Sequence, residues 1–541
     1  MTKLMTVTAD AAVLWKPKGT ITPKQAGEVV CSFLDTASTS MGRATHYNTR
    51  EEQQAAELEA HAKLMSLDRD LYTALLTLPG VLYRAQQLGL KNLLGTPRNG
   101  VESFLTADQE RLVLYHLIQS MEVPAMMRLF QALQVGDEKL GIKRANNNRT
   151  RKLILRTLLG SPRLQLWVVK YRRKVLAALK HAWGNRRVGV VRSILSKDGR
   201  TWTKGERKTV SQCIDRFKGE NSEKYVRECV RFVLGDRDRL TLPMLKAFIA
   251  SKDDLEVGAK ARLPKEILYG IRSNHHMTVP KEDVLKMVAE AGGLTEKTKM
   301  QVQRQAKKAG IEVEFDPNRY DAVRLYLYAF EMGLDEAIVD ALATKARQGA
   351  AKFPARYGKV GMVVDGSFSM SGDKTQPLRP MAVVLSLRDM LRETAGEAFV
   401  EYVGGAFETE GGDTLVRPSG DTALADGLVK VLTNEPDAVY VLSDGYENTP
   451  AGRFAEVMAH VRDLGIETPI YHLNPVFAAE ATAVRSLCPE GVGVSTMPVK
   501  DPTALGVSFL RALIETDPLR GINSLVRLSL TGTPAERKVL A

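Results

Sequence analysis

Val360-Gly-Met-Val-Val-Asp-Gly-Ser-Phe-Ser369 is the stretch on which the reading of this chain turns. Val360–Val364 has the near-continuous apolar composition of a strand buried on both faces. It runs straight into a small polar turn, Asp365-Gly-Ser-Phe-Ser369. One carboxylate and two hydroxyls from alternate positions are the ligand chemistry of a hard divalent cation such as Mg²⁺. Two later segments share that chemistry. Ser419-Gly-Asp-Thr422 offers a hydroxyl just before a helical pattern, and Val439-Tyr-Val-Leu-Ser-Asp444 offers a second carboxylate at the exit of an apolar strand. Ligands of an open parallel sheet gather outside the carboxyl ends of its strands, so both Asp-bearing loops are expected to open on one crevice.

Outward from this stretch, strand and helix patterns alternate. Strands are expected at Lys359–Val364, Ala398–Val403, Ala438–Leu442, Pro469–Leu473 and Val492–Met497. Helices are expected near Pro380–Thr394, Ala423–Leu432, Arg453–Leu464 and Thr503–Glu515. That order predicts an α/β domain over residues 356–515, a doubly wound, mostly parallel sheet with helices on both faces. In its three polar loops the domain resembles a von Willebrand factor A domain with its metal-ion-dependent adhesion site. Position by position, the resemblance implies that Asp365, Ser367, Ser369, Thr422 and Asp444 contact the metal. Phe368 departs from the pattern, because the family usually has a small residue there; its ring is expected to shape or distort the ligand mouth.

Before the sheet the pattern is different. From about residue 50 to 350 one helical stretch follows another, divided by glycines such as Gly89, Gly95, Gly136, Gly160, Gly184 and Gly235 in the manner of helix C-caps. A long series of paired helices argues for an α-solenoid of HEAT-like helical repeats rather than one compact bundle. Residues 1–49 read as an N-terminal arm and 516–541 as a C-terminal tail able to dock back. The resulting chain is multidomain, with a boundary at Gly349-Ala-Ala-Lys-Phe-Pro-Ala-Arg356.

Charge separates the two parts further. The net charge is +13; from Arg356 onward 17 basic residues face 24 acidic ones, whereas the preceding part has 59 against 39, a net of +20. Such asymmetry suggests a polyanion partner for the first part only. Four cysteines without Cys-x-x-Cys spacing indicate neither a zinc site nor a disulfide framework, and no apolar run reaches membrane-spanning length. A cytoplasmic location is expected.

The positive charge concentrates between Lys139 and Lys197, a run without a single Asp or Glu. Its cations include Lys143, Arg144, Arg149, Arg151, Lys152, Arg156, Arg163, Lys170, Arg172, Arg173, Lys174 and Lys180. Ser161-Pro162 reads as a capped start for one helix over Arg163–Trp183. On that helix Leu164, Trp167, Val168, Tyr171, Val175, Ala178 and Ala182 form an apolar face, and Arg163, Lys170, Lys174 and His181 a separate stripe. The aromatic residues Trp167, Tyr171 and Trp183 are assigned to the core. Like charges at this spacing repel by a few tenths of a kcal/mol, about 0.2–0.5 per pair, so an uncompensated array implies an external anion. The candidate phosphate contacts are Arg149, Arg151, Lys152, Arg163, Lys170, Arg173, Lys174 and His181. His275-His276 lacks a third ligand candidate and is not expected to hold a metal.

A basic helical module ahead of an A domain resembles the Ro autoantigen family, with its TROVE module, in its bacterial form. Asn148-Arg-Thr-Arg151, Val169-Lys-Tyr-Arg-Arg-Lys174, His181-Ala-Trp-Gly184 and Leu263-Pro-Lys-Glu266 carry the resemblance beside the Asp365 motif. The family implies a ring of helical repeats closed by the A domain. It also implies binding of structured, Y-like non-coding RNA and of single-stranded ends of misfolded RNA, in association with an exoribonuclease such as polynucleotide phosphorylase. No catalytic constellation stands out, so an enzyme is not expected. Two rival readings remain at this stage: a Mg²⁺-dependent protein-interaction scaffold without RNA, and a nuclease using Asp365 and Asp444.

Overall fold

The computed structural model describes residues 14–39, 49–98, 103–136, 145–372, 376–409, 412–475, 486–489, 492–499 and 502–531. The apolar run at Val360 lies in β1 (Tyr357–Gly366), buried continuously from Val360 onward. It is flanked by β2 (Ala395–Gly404) and by β5 (Ala438–Leu442), an entirely buried five-residue strand. With β6 (Ile470–Asn474) and β7 (Val494–Pro498) these form a five-stranded sheet in the order β2-β1-β5-β6-β7, parallel throughout. The strands match the expected ones to within a few residues at their ends. A short antiparallel hairpin, β3 (Ala406–Thr409) with β4 (Gly412–Arg417), was not anticipated.

Helices cover both faces of the sheet. Val363, Val439, Val441 and Ile470 pack on Leu424, Leu428, Phe454 and Met458, from helices Leu424–Leu432 and Arg453–Asp463. On the other face Tyr440 stacks on Tyr471, and Tyr471 lies against Phe509 of helix Leu505–Thr516. Each aliphatic side chain buried in this way contributes on the order of 1.5–3 kcal/mol. The chain reverses its direction of winding at β1 and β5, so the carboxyl ends of these two strands flank the switch-point crevice.

The rest of the described chain is helical, and the helical region plus α/β domain matches the expected class. The compact units divide the chain differently from the expected boundaries. One unit contains the described residues of 1–89, 101–113 and 317–541, and the other those of 90–100 and 114–316. Helices Ala322–Met332 and Glu336–Lys352 therefore belong with the sheet; a Cβ added at Gly349 would lie 2.7 Å from Met390 Sδ.

The expected N-terminal arm instead carries helix Pro23–Thr39, which packs against helices Leu505–Thr516 and Pro518–Leu530. The Asn523 amide joins the two ends of the chain. Its oxygen accepts from the N–H groups of Leu14 (2.9 Å) and Trp15 (2.8 Å), and its nitrogen donates to the Trp15 carbonyl (3.0 Å). Arg511 adds a bidentate pair with Asp35 at 2.6 and 2.7 Å. The tail over 518–530 is thus a docked helix, capped by the Asp517 carboxylate and started by Pro518.

Two local expectations fail for identifiable reasons. Gly89 does not end a helix but lies within Tyr83–Gly95, where an added Cβ would fall 2.4 Å from a Leu76 methyl. Close helix packing, not capping, requires glycine there. The single helix expected over Arg163–Trp183 is two, Leu164–Lys170 and Arg172–Trp183, broken at Tyr171 (φ −122°, ψ 27°). Ser161 Oγ accepts from the Arg163 N–H at 3.1 Å, and the first helical residue is Leu164. A one-residue break hardly changes the 3.6-residue spacing, so periodicity could not locate it. Among the described residues no helix is long and apolar enough to cross a membrane, and all four cysteines are free.

Candidate metal centre and basic surface

Asp365 is the penultimate residue of β1 and Ser443 follows β5, and the strand register sets them side by side. Ser443 Oγ donates to Asp365 Oδ2 at 2.6 Å, while the Ser367 N–H donates to Asp365 Oδ1 at 2.9 Å. Ser367 Oγ lies 3.1 Å from Ser369 Oγ. Asp365, Ser367, Thr422 and Asp444 are all buried, and Ser369 is exposed at the rim.

Backbone hydrogen bonds join the three loops. The Ser419 N–H donates to the Gly366 carbonyl (2.8 Å), the Phe368 N–H to Gly420 (3.2 Å), and the Thr449 N–H to Thr422 (3.3 Å). This close approach depends on small residues. A Cβ on Gly366 would lie 2.9 Å from Gly405 Cα, and Gly404 adopts φ +72° against the Ser419 carbonyl. The Phe368 side chain is 73% exposed, so the bulky ring flanks the opening without filling the site.

The electrostatics crowd negative charge into a buried site. Burial pushes the Asp365 carboxyl up to about 6, and the neighbouring Asp444 charge acts in the same direction, against the hydrogen bonds from Ser443 and Ser367. Thr422 Oγ1 is buried without a hydrogen-bond partner, which is costly for a hydroxyl and is relieved by a ligand. Two carboxylates and three hydroxyls, one of them an orphaned buried oxygen, fit a hard divalent cation such as Mg²⁺. Among the described residues no cluster of three or more His, Cys, Asp or Glu side chains could hold a metal, so a softer, nitrogen- or sulfur-rich centre has no counterpart there.

Supporting residues escaped the sequence reading. Ser443, inside the segment 439–444, supports the site through its bond to Asp365. The buried His472 ring contacts the Ser443 carbonyl at 3.0 Å, and Asn474 Nδ2 donates to the Asp444 carbonyl at 3.0 Å. Both lie near the carboxyl end of β6, where polar residues in a buried strand were the available signal.

The side chains of the basic run divide into exposed and committed ones. Lys139, Lys143 and Arg144 lie outside the described residues. Lys152, Arg163, Arg173 and Lys174 are exposed, as are Arg156, Lys180, Arg186, Arg187 and Arg192. Four candidates are committed elsewhere. Arg149 donates to the Leu93 carbonyl at 3.4 Å, Arg151 Nε donates to Asn146 Oδ1 at 2.9 Å, and Lys170 pairs with Glu266 at 3.0 Å. His181 is buried, which removes it from the exposed stripe. Trp167 and Trp183 are core residues as expected, and Tyr171 is half-buried. His276 contacts the Ser251 carbonyl at 3.1 Å. Comparison with known proteins adds no relative: no family model matches the chain, and no curated protein does.

Proposed function

We propose that this chain is a non-catalytic RNA-binding protein of the Ro kind, with a TROVE-like module of HEAT-like repeats and a von Willebrand factor A domain. The observation that carries this reading is the exposure of Lys152, Arg156, Arg163, Arg173, Lys174 and Lys180 without a carboxylate partner among the described residues. Cations held together in this way repel one another, and a polyanion that binds them relieves the repulsion while its own counterions are released to solvent. The ligands proposed are structured, Y-like non-coding RNA and the single-stranded ends of misfolded RNA, in the cytoplasm.

The α/β domain has a separate task. Asp365, Ser367, Ser369, Thr422 and Asp444 would hold Mg²⁺, and the ion would supply an under-neutralised coordination position for an anionic oxygen. Ser443 orients Asp365, and Asn474 holds the Asp444 backbone. The carboxylate-bearing ligand at the metal is a protein side chain, and an exoribonuclease such as polynucleotide phosphorylase is a further proposed partner.

The test is to purify the full chain, sequence the RNA that accompanies it and incubate that RNA with Mg²⁺. Structured RNA released by salt and recovered intact is expected. Cleavage that Asp365→Ala abolishes would replace this reading with a nuclease.

A further inference from the structure

We propose that Arg172, Arg173 and Arg237, with the ring of Phe248, form a subsite for one nucleotide step of a single-stranded nucleic acid. The guanidinium groups take the phosphate and the ring takes a base. This rests on the RNA reading above and narrows it to named groups, two of which, Arg237 and Phe248, lie outside the acid-free run.

Arg172 opens helix Arg172–Trp183, directly after the break at Tyr171. It is half-buried, and its guanidinium carbon lies 6.0 Å from the centroid of the Phe248 ring. Phe248 comes from helix Pro243–Ala250, which packs against helix Leu164–Lys170. A partly desolvated guanidinium ordinarily has a carboxylate partner, since an unpaired charge withdrawn from water is costly. Among the described residues none pairs with Arg172, Arg173 or Arg237. Arg172 also feels charge of its own sign: burial lowers its pKa, and Arg237 and Arg173 lower it further.

Arg237 is exposed on a loop with a fixed course. The Asp236 carboxylate accepts from Arg231 Nε at 3.0 Å and from the Asp238 N–H at 3.1 Å. The buried Glu228 accepts from the N–H groups of Thr241 (2.5 Å) and Leu242 (2.6 Å). Asp236 is thereby occupied, which leaves Asp238 as the exposed carboxylate between Arg237 and Arg239.

Three guanidinium groups and a half-buried ring are matched to a nucleotide. The planar fork pairs with phosphate oxygens in bidentate fashion, and an aromatic face accepts any base. Lys174 and Lys180 continue the cations along the same helix, as a polymer of phosphates requires. Lys170 is excluded, because Glu266 already neutralises it.

The test uses the full chain and fluorescence anisotropy, with a short labelled oligouridylate and an RNA duplex as probes. Arg237→Glu should weaken oligouridylate binding about tenfold and reduce the salt slope by about one. Phe248→Leu should weaken it about tenfold with an unchanged salt slope, and should spare the duplex. Oligouridylate binding by both folded variants that equals the wild type would overturn the subsite alone. Failure of the wild type to bind either RNA would overturn the RNA reading itself. An acidic peptide that binds the wild type in place of RNA, and is lost in Arg237→Glu, would reassign the site to a protein.

Discussion

The α/β domain and the acid-free helical run treat charge in opposite ways. In the domain, Arg388 and Asp365 are buried and surrounded by partners. Arg388 is fully enclosed, yet it donates to Tyr402 Oη at 2.8 Å, Tyr326 Oη at 3.0 Å and Asp389 Oδ1 at 2.6 Å, and it also reaches the Asp413 carbonyl. Asp365 is held as firmly by Ser443 and Ser367. In the run, by contrast, Arg163, Arg173, Lys174 and Lys180 remain in water without a partner among the described residues. Burial of a charge costs desolvation, which only good geometry offsets, and the result is a fixed arrangement suited to one small ion. Charges left in water keep their hydration and their mutual repulsion, which a long polyanion relieves without a fixed arrangement. The two regions are built for ligands of different size.

The contrast can be broken most forcefully in the run. Replacing Arg163, Arg173 and Lys174 together by Glu should weaken RNA binding at least a hundredfold, about 2.7 kcal/mol or more, with the thermal transition preserved. Unchanged affinity would mean that the exposed cations are only a solvated face.

The domain side is tested by metal. Mg²⁺ at about a hundred times its dissociation constant should stabilise the wild type by about 2.7 kcal/mol, and Asp365→Asn should remove that gain. In EDTA the variant should melt no lower than the wild type, because the buried charge has gone. A Mg²⁺-induced shift that persists in Asp365→Asn would rule out the proposed site.

A pH titration sharpens the point about burial. His61 is enclosed with Nδ1 2.7 Å from Tyr72 Oη, and burial drives its pKa down to about 3. Its unfolded value is about 6.5, so the unfolded chain takes up the proton first. Stability that is present above pH 6.5 is therefore lost as pH falls towards 3, at about 1.4 kcal/mol per pH unit for this group. His472, driven down to about 4, acts in the same sense, and Asp365, pushed up to about 6, in the opposite one. Comparison of wild type with His61→Gln cancels both. A variant with the same acid dependence as the wild type would show that His61 is not held neutral.

The smallest effect concerns Lys170. Its pair with Glu266 is partly exposed, where such pairs are worth about 0.2–1 kcal/mol. Glu266→Gln should free the ammonium and raise RNA affinity about two- to threefold. A loss of affinity would indicate that Glu266 positions Lys170 for the ligand.

Much of the α/β domain was legible because its signals are local. A buried parallel strand announces itself in Val360–Val364, and the polar residues at strand exits follow immediately in sequence. That the Asp365 and Asp444 loops leave neighbouring strands at one sheet edge followed from the sheet-edge rule, although the Ser443–Asp365 hydrogen bond needed the register. What escaped was long-range or sub-periodic. Nothing near Lys170 indicates Glu266, 96 residues away, and nothing near Trp15 indicates Asn523. The hairpin at Ala406–Arg417 is too short for alternation to register, and its Gly404-Gly405 entry is explained by the loops packed against it. His181 illustrates the limit of helical wheels: a position assigned to the charged stripe lies in the core, because the helices packed against Arg172–Trp183, not the periodicity, decide what is covered.

The central claim is that the uncompensated cations are an RNA surface, and the most direct measurement is the affinity of the full chain for single-stranded RNA across a salt series. With about six phosphate contacts, log affinity should fall against log salt with a slope of about −4. An affinity indifferent to salt, or no RNA binding at low salt by a folded chain, would contradict it.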